Sequence, residues 1–229
     1  MFARSLSIAP RFDELRRLMV SEQLRARGGF SARVLEAMLR VPRHEFVPEE
    51  NRAAAYTDQP LPIGDGQTIS QPYMVAAMAE ALELSGEERV LEVGAGSGYQ
   101  AAVLSLLARE VHTVEVHAGL AAAARERLAR LGYGNVLVHA GDGSLGRAER
   151  APFDAILVSA AAPGVPPPLA EQLAEGGRLV LPVGGEKQQE LVRVRRRSSQ
   201  ISAPETLHYC RFVPLVGAHG WHNPAWPSR

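Results

Sequence analysis

A chain of 229 residues, 46% of them hydrophobic and 22% charged, has room for one large domain or two small ones around a substantial core. Lys+Arg and Asp+Glu both number 25, so the basic excess of a general nucleic-acid binder is missing. No run approaches a membrane span, residues 1–10 lack the apolar core of a signal peptide, and the lone Cys210 excludes an internal disulfide; a cytoplasmic monomer with no nucleic-acid or membrane partner is expected.

Residues 11–27 read as an amphipathic helix, with Phe12, Leu15, Met19 and Leu24 on one side and a solvated arginine face on the other. Gly28-Gly29 ends it. Ser31 suits the N-cap of a second helix bearing Val34, Leu35, Met38 and Leu39, which stops before Pro42. Residues 41–73 are rich in Pro, Gly and polar residues and have little periodicity. Loops of that length inside compact domains are uncommon unless they carry function. A helix over residues 73–84 follows, with Met74, Met78 and Leu82 at core spacing.

Strands are expected over residues 89–93, 111–116, 135–140, 154–159 and 178–183, with helices after Gly98, over 121–131 and near 168–174. This alternation predicts a doubly wound, mostly parallel α/β sheet with right-handed crossovers. Residues 190–195 and 207–215 are strand-like with no helix between them, so they should finish the sheet as an antiparallel pair. Arg193 and Arg195 would then face solvent, with Arg196 and Arg197 at the turn. Residues 1–80 are read as an N-terminal helical and substrate-loop subdomain packed on the α/β unit of residues 81–229.

The stretch from Val90 to Gln100 carries the most information. An apolar strand interrupted by Glu92 runs into Gly94, Gly96 and Gly98 and then directly into an apolar helical run. Strand, glycine loop and helix in that order bring a nucleotide-like ligand against bare backbone. A dinucleotide site expects G-x-G-x-x-G, whereas the spacing here is G-x-G-x-G with a carboxylate two residues ahead. An anion at that place repels a phosphate and favours a cation. S-adenosyl-L-methionine has a sulfonium and an ammonium and no phosphate, so the loop looks like the first motif of class I (Rossmann-like) methyltransferases. A tight turn in another α/β protein is the competing reading. Glu115 closes the second strand where a carboxylate commonly takes ribose hydroxyls, and Asp142, flanked by Gly141 and Gly143 after the third, is placed to meet an adenine amino group. Each acid alone could cap a helix or form a turn.

Taken together, these pieces resemble the protein-L-isoaspartate (D-aspartate) O-methyltransferases. The resemblance rests on the stretches 41–48, 55–64, 91–100, 151–156 and 176–184, on Gly141-Asp142-Gly143, and above all on Gly66-Gln67-Thr68-Ile69-Ser70-Gln71-Pro72. It runs from the second helix to about Trp221; Ala95 stands where Thr or Ser is more usual. It implies Ser70 as the active-site serine, with Thr68, Ile69 and Gln71 toward the substrate. It also implies Glu92, Gly94, Gly96, Gly98, Glu115, Asp142 and Gly143 around S-adenosyl-L-methionine, no metal, and final strands swapped in order relative to most class I methyltransferases. The implied substrate is the carboxylate of isoaspartyl residues in proteins and peptides. Read without the resemblance, Ser70 serves equally as an N-cap hydroxyl ahead of Pro72, and a methyltransferase acting on a small molecule or RNA would keep the cofactor acids without needing residues 68–72.

Overall fold

The computed structural model describes residues 12–221; residues 1–11, where the absence of a signal peptide was read, and the tail 222–229 lie outside them. Helix α1 (Phe12–Leu18) continues into a π-helical turn, Met19–Leu24, and a 3-10 turn, Arg25–Arg27. In the π turn Val20 joins Met19 and Leu24 in the core. Helix α2 (Ala32–Arg40) starts at Ser31, whose hydroxyl accepts from the Val34 amide and donates to Glu80 at 2.8 Å.

The Pro/Gly-rich stretch is more ordered than its composition indicates. Two 3-10 turns, Arg43–Phe46 and Glu49–Ala54, lead to an antiparallel hairpin of β1 (Leu61–Gly64) and β2 (Gln67–Ile69). Helix α3 (Pro72–Ala81) then runs through the core with eight buried residues out of ten, so it has no polar face for periodicity to detect.

The main sheet contains β3 (Arg89–Val93), β4 (Glu110–Glu115), β5 (Val136–Ala140), β6 (Phe153–Val158), β7 (Leu173–Gly184), β8 (Gln189–Arg197) and β10 (Glu205–Cys210), with the short β9 (Gln200–Ile201) paired to β8. Helices α4 (Tyr99–Ser105), α5 (Ala118–Arg130) and α6 (Pro167–Glu171) form the crossovers. The order is β10-β8-β7-β6-β3-β4-β5. The five strands from β7 to β5 are parallel, and β8 and β10 are antiparallel. The hairpin partner β8 sits beside β7 and β10 takes the edge, the order implied by the resemblance. One face packs against α2–α5 through Met38, Phe46, Leu82, Tyr99 and Leu104. The other carries Leu91, Phe153, Ile156, Leu169 and Leu179.

Three expectations are corrected. β7 begins at Leu173 rather than at residue 178, with an irregular register opposite Phe153 and Ala155. The last strand ends at Cys210; residues 213–215 leave it and bond to Ala161 instead. The arginines of β8 are not a solvated face. Arg193 pairs with Glu83 and Glu205 and donates to the Ala81 carbonyl, Arg195 pairs with Glu83, and Arg196 donates to the carbonyls of Ala170, Glu171 and Leu173. Helix C-termini present unpaired carbonyls, which cations satisfy. No helix among the described residues is long and apolar enough to cross a membrane.

Candidate active site

β3 lies at the point where the strand order reverses, with β4 on one side and β6 on the other; ligands of open α/β sheets bind outside the carboxyl ends of strands at such a point. The ladder extends one residue past β3: the Gly94 amide donates to Val114 and the Ser159 amide to Val93, both at 2.8 Å. Gly96 has φ +51, and a Cβ there would come within 3.2 Å of Ile63 Cδ1. The left-handed backbone conformation favours glycine there, and a Cβ would press on the Ile63 side chain of β1. Glu115, 4% exposed, accepts from the Gly96 amide at 2.8 Å and from the His117 amide at 3.0 Å. From α5, Arg127 donates to the Ser97 carbonyl.

Between the glycine loop and the hairpin lies a cleft of about 780 Å³, open solvent at its mouth included. Of the residues singled out from sequence, Thr68, Ile69, Ser70, Gly94, Gly96, Glu115 and Gly143 line it together. The other four stand behind the lining. Gln71 is the N-cap residue of α3. Gly98 begins α4 in a left-handed conformation against Leu128. Glu92 and Asp142 are buried or turned elsewhere, as follows.

Glu92 is fully buried on β3 and neither carboxylate oxygen has a hydrogen-bond partner. Burial pushes its carboxyl up to about 8, with the Thr113 hydroxyl opposing and the charge of Glu115 adding to the rise. Asp142 accepts through one oxygen from the amide and hydroxyl of Ser144, at 2.8 and 2.6 Å, and through the other from the Ala218 amide at 2.8 Å. Burial alone would raise its carboxyl; these donors outweigh it and hold the group below the usual range. The Ser144 hydroxyl also accepts from the His219 amide at 3.0 Å. Asp142 and Ser144 thus clasp the turn after residues 213–216, and those four residues form the far wall of the cleft.

The Ser70 hydroxyl makes no hydrogen bond among the described residues. Its use as an N-cap is not realised: Gln71 holds that position without a side-chain bond, and Asp58 accepts from the Tyr73 amide at 3.0 Å instead. His44 is not among the residues lining the cleft. It stacks on Phe12 at 4.1 Å and bonds the Tyr56 hydroxyl at 2.8 Å, and burial lowers its pKa, which keeps the ring neutral near pH 7. The sequence did not expose Tyr99, Ser159 or residues 213–216 as lining. The last of these looked like the end of a strand, and only Pro214 signalled otherwise.

The cleft fits S-adenosyl-L-methionine by its chemistry. Its lining includes no Lys or Arg among the described residues, and the Glu115 carboxylate is part of it. Such a site has no counter-charge for a phosphate and a favourable one for a cation. Gly143 adds a close approach, since a Cβ there would meet Val93 Cγ1 at 2.5 Å.

Comparison with known proteins agrees. The protein-L-isoaspartate(D-aspartate) O-methyltransferase family matches residues 16–220. A protein-L-isoaspartate O-methyltransferase of Roseiflexus castenholzii is 56% identical over 218 residues, covering 95% of this chain and 99% of that one. One from Geobacter metallireducens is 57% identical over 210 residues, covering 92% and 97%. A solved protein-L-isoaspartate O-methyltransferase superposes with TM-score 0.80 at 29% identity, covering 91% of this chain and 67% of that one. Another, from Plasmodium falciparum in complex with S-adenosyl-L-homocysteine, gives 0.75 at 26% identity, covering 88% and 98%. The chain belongs to the protein-L-isoaspartate(D-aspartate) O-methyltransferase family.

Proposed function

We propose that the chain transfers a methyl group from S-adenosyl-L-methionine to the carboxylate of L-isoaspartyl residues, and of D-aspartyl residues, in damaged proteins and peptides. The observation that carries this reading is that Ser70, unbonded among the described residues, lines the same cleft as the glycine loop, with no Lys or Arg among the described lining residues, in a chain of this family. A monomer acting in the cytoplasm belongs to the same proposal; the single cysteine supports the reducing compartment.

When bound, the cofactor supplies an electrophilic methyl group on a positively charged sulfur. The acceptor, a carboxylic acid, titrates near 4 and is ionised at neutral pH, so this chain needs no general base. Ser70 donates one hydrogen bond to the acceptor and leaves its second oxygen free. A neutral donor orients the carboxylate without quenching its charge, as an arginine would. Thr68 and Ile69 on one side, and residues 213–216 on the other, hold the acceptor and exclude water; alignment of this kind lowers barriers substantially. Glu115, Gly94, Gly96 and Gly143 contact the cofactor, with Glu92, Gly98 and Asp142 supporting them from behind. The subdomain of residues 1–80 then supplies the Ser70 side of the acceptor site, and the α/β unit of residues 81–229 holds the cofactor and completes the acceptor wall with residues 213–216. The methyl ester is a better leaving group than the acid, so closure to a succinimide follows without the enzyme, and its opening restores part of the normal aspartyl linkage.

The test is a pair of peptides differing only in an isoaspartyl or an aspartyl link, incubated with labelled S-adenosyl-L-methionine. Label should enter the isoaspartyl peptide alone. Equal methylation of both, or of neither, overturns the reading.

A further inference from the structure

Arg43, in the 3-10 turn after α2, is 0% exposed. Its Nε donates to the Ala55 carbonyl at 2.7 Å, and its guanidinium lies 4.8 Å over the ring of Tyr99. Nη1 and Nη2 have no hydrogen-bond partner, and Arg43 forms no ion pair among the described residues. A buried cation with unsatisfied donors is costly, and an apolar side chain of similar volume is often neutral or better for stability. Stability does not explain why an arginine stands there.

Its contacts do. Tyr99 is the first residue of α4, directly after Gly98, and lines the cleft. Ala55 opens the turn that carries Asp58, which accepts from the Tyr73 amide and pairs with Arg27 at 2.7 Å. Tyr73 lies three residues after Ser70. Arg43 therefore packs on the base of the glycine loop and reaches the base of the Ser70 loop through Ala55, Asp58 and the Tyr73 amide, linking the two walls across which a methyl group must travel.

We propose that Arg43 is a positioning residue that fixes the Ser70 loop relative to the glycine loop; this rests on the methyl-transfer reading above. Arg43 touches neither substrate nor cofactor. Its planar group serves because it can donate in its plane to Ala55 while presenting its face to Tyr99, which a lysine cannot do. A displacement of about 1 Å between reacting groups costs on the order of a hundredfold in rate, so small shifts of either wall are read out in kcat.

The experiment compares wild type, Arg43→Met, Arg43→Lys and Asp58→Ala in the isoaspartyl-peptide assay, well below each melting temperature. Arg43→Met should melt no lower than about 3 °C below wild type and bind cofactor within about threefold, yet lose about tenfold or more in kcat. Arg43→Lys, which keeps a donor for Ala55, should recover part of that loss. Asp58→Ala should also lower kcat, and combined with Arg43→Met the losses should be less than multiplicative. The proposal is overturned if Arg43→Met keeps its kcat, if its activity falls only in step with the folded fraction, or if the losses multiply. Should Arg43→Met fail to fold, Asp58→Ala with unchanged kcat overturns it equally. A wild type inactive on the peptide sinks the function reading itself, whereas active wild type beside fully active Arg43→Met sinks only this one.

Discussion

Ser70 is distinguished by having no internal partner. Pro72 occupies the first turn of α3 and Asp58 takes the Tyr73 amide, so the hydroxyl is left over from the helix start and points to use by a ligand. A hydrogen bond to a charged group contributes about 1.5–3 kcal/mol, and Ser70→Ala should therefore lower kcat on an isoaspartyl peptide about 10- to 100-fold. Cofactor affinity, measured by calorimetry, should change less than about threefold, since removing a hydroxyl from the acceptor wall touches no cofactor contact. A large loss of cofactor binding would move Ser70 to the other wall. Glu92 behaves differently from what its sequence position indicates. An anion near a cation site was legible, but its protonation was not, because burial depends on the strands to either side. With its carboxyl pushed up by burial to about 8, Glu92 should hold its proton at pH 7. A cation entering the cleft favours the ionised form, so cofactor binding should release up to one proton. Titrations at pH 7 in buffers of different ionisation enthalpy should show that release, and Glu92→Gln should abolish it. Equal proton release by the two proteins would remove Glu92 from the coupling.

The glycine loop and its strand were legible among the elements because three constraints coincide there: a strand buried on both faces, glycines for bare backbone, and an immediate helix. The β1–β2 hairpin was not. Its strands are four and three residues long, and Pro62 stands opposite Thr68 in the ladder, so period-two alternation has no length in which to show. Gly64-Asp65-Gly66, with Asp65 at φ +50, was the available turn signal. The far wall was hidden for another reason: residues 213–216 are apolar and resemble a strand, but they are held by Ala161 and by the clasp of Asp142 and Ser144 on the next turn. Ser144→Ala removes, from a buried side chain, a donor to the half-buried Asp142 and the acceptor for the His219 amide, at a cost of about 1–3 kcal/mol. The wall should loosen, with cofactor affinity weakened about 3- to 10-fold and the melting temperature lowered by a few degrees. Calorimetry and a thermal melt test this together. Unchanged affinity in a protein that melts lower would mean that the clasp serves the fold alone.

The parallel centre of the sheet could be anticipated for the molecule as a whole because buried strands read as apolar runs, whereas the order of β8 and β10 depends on tertiary pairing that no local pattern records. The arginines of β8 also take their meaning from that pairing, which sets them against the ends of α3 and α6. One consequence appears only at this scale. Glu88, at the turn before β3, accepts from the amides of Ser85 and Gly86 and from the Ser85 hydroxyl, and pairs with Arg178 of β7 at 3.3 Å. Burial alone would raise its carboxyl, but these donors prevail and hold it at about 2 against an ordinary 4.5. A depressed carboxyl stabilises the fold above its unfolded pKa, and that contribution, on the order of 3 kcal/mol here, is lost as pH falls from about 4.5 toward 2. Glu92 has the opposite sign. Its raised carboxyl contributes stability that is full below about 4.5 and lost as pH rises toward 8. In the cofactor-free protein Glu88 should therefore deepen an acid limb that it shares with the depressed carboxyls of Glu45, Glu83, Glu110 and Asp142, and Glu92 should pull stability down between pH 5 and 8. In urea unfolding from pH 3 to 9, Glu88→Gln should lose stability at neutral pH and make the acid limb shallower, while Glu92→Gln should lessen the decline between pH 5 and 8 and keep the acid limb intact. If Glu92→Gln declines as steeply as wild type over that range, the alkaline limb belongs to another group and the carboxyl beneath the glycine loop is not the one that titrates there.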